Sequence, residues 1–418
     1  MTNQHLRERL GRVESPGITT VSDGWPIFWS HAHGSLVFDV EGREFIDLTA
    51  AFGVAALGHA DAGIADAVDR QARRLLHGMG DVHPPALKVD LMERLTRFLG
   101  HGLTRVAFGL NGADAVETAL KCAQLVTGKP GVIAFEGSYH GLYGAALEVT
   151  SRRDFRDPVA GRLSGRTAFA PYPVTPAEGV AVLAELRRRL GGRASGLLPT
   201  GAVIIEPIQA RGGARTPPPG FLGALGALCA EYGVMLLVDE IFTGFGRTGH
   251  RLAIDHPDHA VTPDLLCVGK ALGGGMPLSA VVGHESSLGA WPKARGEALH
   301  TATFLGHPGA CAAALAFLDA FERQALDQLA LARGHEAREQ LEGLGHTVLG
   351  RGLMLGIALG APGHGVRAME RCLELGVLTL VEGPEAEVLA VTPPLTIPPE
   401  LLRLALSRVD RAVRETAP

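Results

Sequence analysis

The chain has 418 residues, too long for one ordinary compact domain, so two or more lobes sharing a core are expected. Hydrophobic residues make up 46% and charged residues 20%, as in soluble globular proteins, and the 55 glycines predict many tight turns. A formal net charge of −5 gives no electrostatic case for nucleic acid or an anionic membrane as the main partner.

The five cysteines, Cys122, Cys229, Cys267, Cys311 and Cys372, are widely spaced, with no CxxC or zinc-finger pattern. Free thiols in a reducing compartment fit that spacing. The N-terminal MTNQHLRERLGRVESPG lacks an apolar signal core, and no long uncharged apolar run occurs. A membrane span is not expected, and a cytoplasmic location follows by default.

In chain order, residues 1 to about 60 read as an N-terminal arm with a small β-element around SLVFDVEGREFIDL. Residues 61–318 alternate short apolar runs with amphipathic stretches. The runs are TRVAFGL (104–110), GVIAFEG (131–137), AVIIEP (202–207), VMLLVDE (234–240) and DLLCVGK (264–270), with helices predicted over 113–128 and 221–233. The stretch 151–200, rich in Arg, Pro and Gly, reads partly as loop. Residues 319–418 change to long charged helices and short strands, a separate C-terminal lobe. Nearly continuous apolar strands between helices predict an α/β fold whose mainly parallel sheet is covered on both faces. Such sheets place ligands at the carboxyl ends of their strands.

Four segments fall at such ends, and a fifth leads into an alanine-rich helix. FGLNGADAVETALK (108–121) runs from strand through Asn-Gly into a helix whose first N–H groups could bind phosphate, or it is a plain strand-to-helix turn. FEGSYHGLYG (135–144) offers Tyr139 for stacking on a planar ligand, or as a structural tyrosine. LLVDEIFTGFGRTG (236–249) ends a strand in Asp239–Glu240; a carboxylate there can keep a ring nitrogen protonated, or simply start a loop. No neighbouring His/Asp/Glu cluster has metal spacing, so no metal is expected. VGKALGGGMPLSAVVG (268–283) puts Lys270 at a strand end before three glycines. A desolvated lysine there has a lowered pKa and can form an imine with an aldehyde; the alternative is a solvated lysine before a flexible loop. A Walker phosphate loop is disfavoured, because its glycines precede the lysine. HTATFLGHPGACAAALAF (300–317) presents Thr303 as a phosphate donor or a cap residue. Asp239 with Lys270 some thirty residues later fits pyridoxal 5'-phosphate (PLP), whose ring draws electrons better when its nitrogen is protonated.

Together these segments, with IIEPIQARGG and TPPLTI, resemble the class III (ornithine/4-aminobutyrate type) PLP-dependent aminotransferases, in the family's order from about residue 35 to about 397. The resemblance implies fold-type I, with an N-terminal arm, a large PLP domain and a smaller C-terminal domain. It implies a homodimer with active sites at the interface. Lys270 matches the Schiff-base lysine and Asp239 the partner of the pyridine nitrogen. Gly112 and Ala113 match the phosphate-binding pair, and Thr303 the threonine that reaches the phosphate from the other subunit. Tyr139 matches the residue stacked on the ring, Ile241 the aliphatic residue on its opposite face, and Glu206 and Gln209 the acid and amide near the ring hydroxyl. Phe52, Val54 and Tyr143 match substrate-pocket positions.

The sequence departs from the family at four places. Ala113 replaces a Ser or Thr, Arg211 a gating glutamate, Leu142 an arginine for a distal carboxylate, and Ala390 the arginine that clamps an α-carboxylate. Bidentate arginine–carboxylate pairs are strong and orienting, so these losses argue against 4-aminobutyrate or ornithine with 2-oxoglutarate in the usual pose. Arg211 is read as a relocated carboxylate anchor or as a surface residue. The expected activity moves an amino group from a primary amine or ω-amino compound to a keto acceptor by a ping-pong Schiff-base route. The alternatives are an aminomutase or amino-acid racemase on the same fold, or a non-enzymatic PLP-fold regulator, which intact Lys270 and Asp239 oppose.

Overall fold

A computed structural model describes residues 1–22, 24–192 and 198–418. Its centre is a seven-stranded sheet built from β1 (Arg105–Gly109), β2 (Gly131–Phe135), β3 (Thr167–Ala170), β4 (Thr200–Ile205), β5 (Met235–Asp239), β6 (Leu265–Val268) and β7 (Ser279–Gly283). The order is β1-β7-β6-β5-β4-β2-β3. β7 runs antiparallel to β1 and β6, and the other pairings are parallel.

Side chains alternate across a strand with a period of two, and here both sets are apolar. Ile133, Phe135, Val203, Ile205, Leu236 and Val238 fill one core. Ala134, Ala202, Ile204, Met235 and Leu237 fill another, with Ala113, Val116 and Leu120 of helix Gly112–Thr127. The doubly covered sheet is thus a direct result of runs with no polar face. It leaves only strand ends for chemistry, which is where the polar residues collect.

The stretch 151–200 holds more regular structure than its composition predicts: β3 and the helix Pro176–Leu190. That helix opens with a capping box, Thr175 accepting from Glu178 N and Glu178 reaching back to Thr175 N, with Pro176 in its first turn. Residues 193–197 of the predicted loop lie outside the described residues.

Strands Thr347–Arg351, Met354–Ala358, Val388–Val391 and Leu380–Glu382 form a second, antiparallel sheet in that order. Near the N-terminus, Trp29–His33, Leu36–Asp39 and Glu44–Asp47 form a third sheet. Its last strand is Val377–Leu378, parallel to Glu44–Asp47 and closed by Ile46 N donating to Gly376 O and Leu48 N to Leu378 O, both 2.9 Å. Buried Arg247, just beyond β5, donates from Nη1 to Leu353 O (3.1 Å) and Pro393 O (2.5 Å) and so ties the loop after β5 to the C-terminal part. All five cysteines are free and buried. Among the described residues no helix is long and apolar enough to cross a membrane.

Candidate active site

The carboxyl ends of β1, β2, β4, β5 and β6 converge on one edge of the large sheet. β7, being antiparallel, begins there, and Ser279 Oγ donates to Asn111 O at 2.6 Å, fixing the turn between β1 and its helix. Asn111 caps that helix, its side chain accepting from Asp114 N at 3.2 Å. The first-turn N–H groups of Gly112 and Ala113 have no carbonyl within the helix to bond and point out of its positive end. A Cβ at Gly112 would sit 2.9 Å from Ile241 Cδ1, so only glycine lets the two elements approach this closely.

Asp239 closes β5 with its side chain 4% exposed. Its Oδ1 accepts from Ile241 N (3.0 Å) and its Oδ2 from His140 Nδ1 (2.7 Å). His140 is fully buried, and its Nε2 has no partner. Burial disfavours the imidazolium, but the bond to Asp239 and the charges of Asp239 and Glu206 outweigh it and raise the pKa. Glu206, at the end of β4, accepts from Tyr139 N at 3.1 Å and Ala210 N at 3.4 Å. Burial pushes its carboxyl up to about 7. Gln209 is buried, donating from Nε2 to Glu136 O at 2.8 Å, while its Oε1 lacks a partner.

Lys270 follows β6 with φ of 43°, in the left-handed region that non-glycine residues rarely adopt. Burial lowers its ammonium below the ordinary lysine value, and the charges of Asp239, Glu206 and Glu382 pull the other way. Nζ lies 4.7 Å from the centre of the Phe242 ring. The segment Phe52–Val54 lies against it: a Cβ at Gly53 would be 3.4 Å from Phe242 and 3.6 Å from Lys270 Cδ. Ala50, Ala51, Phe52 and Gly53 all have positive φ, a run of strained backbone of the kind that persists at functional sites.

Gln209 and Arg215 pair across a tight turn (Gln209 N to Arg215 O, 2.9 Å), which carries Arg211 toward the strand Leu380–Glu382. Arg211 Nη1 stands 3.6 Å from Glu382 Oε1, and its guanidinium lies 5.9 Å from the centre of the Tyr139 ring. Glu382 is buried, with Oε2 unpartnered and its carboxyl raised to about 7 by burial.

The structure therefore gathers Lys270, Asp239, Glu206, Gln209, Tyr139, Ile241, Gly112, Ala113 and Arg211 at one sheet edge. Tyr143 is exposed, its single O–H shared between Asn111 Oδ1 (2.5 Å) and Asp114 Oδ1 (2.7 Å) beside the helix start. Phe52 is exposed and Val54 half-buried. Thr303 is exposed on a turn whose neighbours Phe304 and Leu305 pack on His77 and Gly80, so it does not join the other residues within one chain. His140, Phe242 and Glu382 lie at the same edge, and composition and spacing alone do not point to them. His140 stood next to Tyr139 in the SYHG segment, which was its only signal.

The donor set fits PLP. A partly desolvated amine, a buried hydrogen-bonded carboxylate, a free helix N-terminus and unpartnered polar atoms on His140 and Gln209 supply what an aldehyde-bearing phosphorylated pyridine needs. Residues 19–413 match the aminotransferase class-III family, to which the chain belongs. It is a PLP-dependent aminotransferase. It is similar to the acetylornithine aminotransferase of Methanosarcina mazei, 33% identical over 392 residues (93% of this chain, 92% of the relative). It is as similar to the 2-aminoadipate transaminase of Pseudomonas putida, 33% identical over 408 residues (93% and 96%). Among solved structures, a PLP-bound amine transaminase from an uncultivated Pseudomonas species matches with a TM-score of 0.87 at 27% identity over 97% of this chain and 98% of that one.

Proposed function

We propose that the chain transfers the amino group of a primary amine or ω-amino compound to a keto acid, with Arg211 anchoring a substrate carboxylate. The observation that carries this reading is the Arg211–Glu382 pair at 3.6 Å beside the lysine, where neither Leu142 nor Ala390 offers a cation.

PLP, when bound, supplies an electrophilic carbon and an electron-accepting ring. Gly112 and Ala113 N–H would hold its phosphate at the helix N-terminus. Asp239, held by His140 Nδ1 and Ile241 N–H, would be the partner of the ring nitrogen. Tyr139 and Ile241 would hold the ring between them, with Glu206 and Gln209 on the side of its hydroxyl. Lys270 Nζ would hold the cofactor and, once freed by the substrate amine, take the proton from the substrate carbon, a task suited to an amine whose pKa burial has lowered. Phe52, Val54 and Tyr143 line the substrate side.

The same reading makes the protein a cytoplasmic homodimer. Exposed Leu76, Met79, Val82, Leu299 and Phe304 provide apolar surface around Thr303, which reaches the partner's phosphate group. Residues 61–318 form the PLP domain, 319–418 the smaller domain and 1–60 the arm. The test is to record the visible absorption of the PLP-loaded protein while adding single amines and amino acids without a keto acid. Conversion of the band to that of the amine form identifies the donor class. A band that every primary amine and ω-amino compound leaves unchanged would overturn the proposed donor class.

A further inference from the structure

The phosphate cradle at the start of helix Gly112–Thr127 is short of one donor. Its first turn reads Gly112, Ala113, Asp114, with a methyl group where a hydroxyl would face the ligand. The backbone N–H groups of Gly112 and Ala113 remain, fewer than the oxygens of a phosphate can use.

The loop after β2 is pressed onto this helix at three successive points. A Cβ at Gly141 would lie 2.5 Å from Ala113 Cβ, so glycine on one side and a methyl group on the other let loop and helix touch. A Cβ at Gly144 would lie 2.7 Å from Glu117 Oε2, and the same oxygen accepts from Ala145 N at 2.7 Å. Between these points stands Tyr143, its hydroxyl oxygen 2.5 Å from Asn111 Oδ1 and 2.7 Å from Asp114 Oδ1. Asn111 and Asp114 flank Gly112 and Ala113 in the chain, which puts the phenol oxygen at the mouth of the turn that presents their N–H groups.

That hydroxyl is poorly matched to its neighbours. It has one proton and faces two acceptors, so one close pair of oxygens has no proton between them. Neither neighbour depends on it. Asp114 Oδ2 accepts from Leu110 N at 2.9 Å, and Asn111 Oδ1 accepts from Asp114 N at 3.2 Å. Tyr143 is 48% exposed, so its tip is open to a ligand at the turn. Burial and the bond to Asp114 push the phenol up to about 12, and it therefore stays a donor at neutral pH. A tyrosine separates an apolar ring from a polar tip, so the ring can line the substrate side while the tip serves the helix start.

We propose that the Tyr143 hydroxyl donates to the phosphate group of the cofactor and stands in for the hydroxyl that Ala113 does not carry. The inference rests on the cradle at Gly112 and Ala113 and adds a side chain to it.

The test strips the full-length enzyme of cofactor and titrates the parent and Tyr143→Phe with PLP and with pyridoxal. Pyridoxal has the same ring and aldehyde but no phosphate. Visible absorption of the bound aldehyde reads the affinity, in phosphate-free buffer at constant ionic strength. Phenylalanine keeps the ring and removes only the hydroxyl. Affinity for PLP is expected to fall at least about tenfold, the loss of one hydrogen bond to a charged group, with affinity for pyridoxal unchanged. A ratio of the two affinities within about twofold of the parent's overturns the proposal, whether neither affinity moves or both fall together because the loop is disturbed. A parent that binds PLP no better than pyridoxal would overturn the cradle itself, and this proposal with it.

Discussion

Replacing His140 with leucine tests how the buried carboxylate is maintained. His140 Nδ1 donates to Asp239 Oδ2 at 2.7 Å, with side-chain exposures of 0% and 4%. Removing one partner of such a pair costs about 3 to 5 kcal/mol, because the other charge stays buried. Leucine also removes the unpartnered Nε2, whose burial costs about 1 to 3 kcal/mol. The net loss of stability is about 2 kcal/mol. If the same energy is lost from the transition state, because the carboxylate facing the ring nitrogen is less firmly held, the donor half-reaction slows about 30-fold. The sign with pH is fixed. The folded pKa of His140 is raised, since the bond to Asp239 outweighs burial. Its contribution is complete below the ordinary imidazole value and fades as pH rises through the folded value, so parent and variant converge at alkaline pH. Urea midpoints of the PLP-saturated proteins across pH, with single-turnover rates, measure both effects. A His140→Leu variant within about 0.5 kcal/mol and about twofold of the parent would refute the reasoning.

Three further expectations follow from the same geometry. Arg211→Ala should raise the KM of a carboxylate-bearing substrate by about 10- to 100-fold, the worth of a charged hydrogen bond, with kcat less affected; an unchanged KM would show that Arg211 does not contact substrate. Glu382 is raised to about 7, so the folded chain keeps a proton that the unfolded chain has lost above its ordinary 4.5, and stability falls as pH rises through that window. Glu382→Gln should flatten that fall and be the more stable protein by about 2 kcal/mol at alkaline pH, read from urea midpoints on either side of the window. Gly334→Ala would drive a methyl group into the Gly352 backbone, and the clash should outweigh a helix-propensity gain of about 1 kcal/mol and lower stability by about 2 kcal/mol in the same assay.

What could be read from the chain depended on how local the signal was. Strands β2, β4 and β5 were legible because uninterrupted apolar runs have few other homes in a protein of this size. Lys270, Asp239 and Gly112 were legible because each sits where an apolar run stops. Helix Pro176–Leu190 is hard to read from the chain, although Thr175, Pro176 and Glu178 spell its capping box, because the arginines and prolines around it suggest loop. His140 could not be assigned its task, since its partner lies 99 residues away. Glu382 gave no signal in a lobe of charged helices; only the turn at Arg211 brings it to the lysine. The two-residue strand Val377–Leu378 carries too little pattern to be seen, and its neighbour in the sheet is Glu44–Asp47.

That last pairing sets a timetable for synthesis. Ile46 and Leu48 cannot find Gly376 and Leu378 until about 330 further residues have been made, which at ribosomal speed takes roughly 15 to 70 s. For that interval the edge of Glu44–Asp47 is open, with Phe45 and Ile46 among its side chains. The arm's three strands can pair with one another early, but their sheet is completed only when Val377–Leu378 arrives, and until then its open edge is exposed to pairing with another copy or to capture by a chaperone.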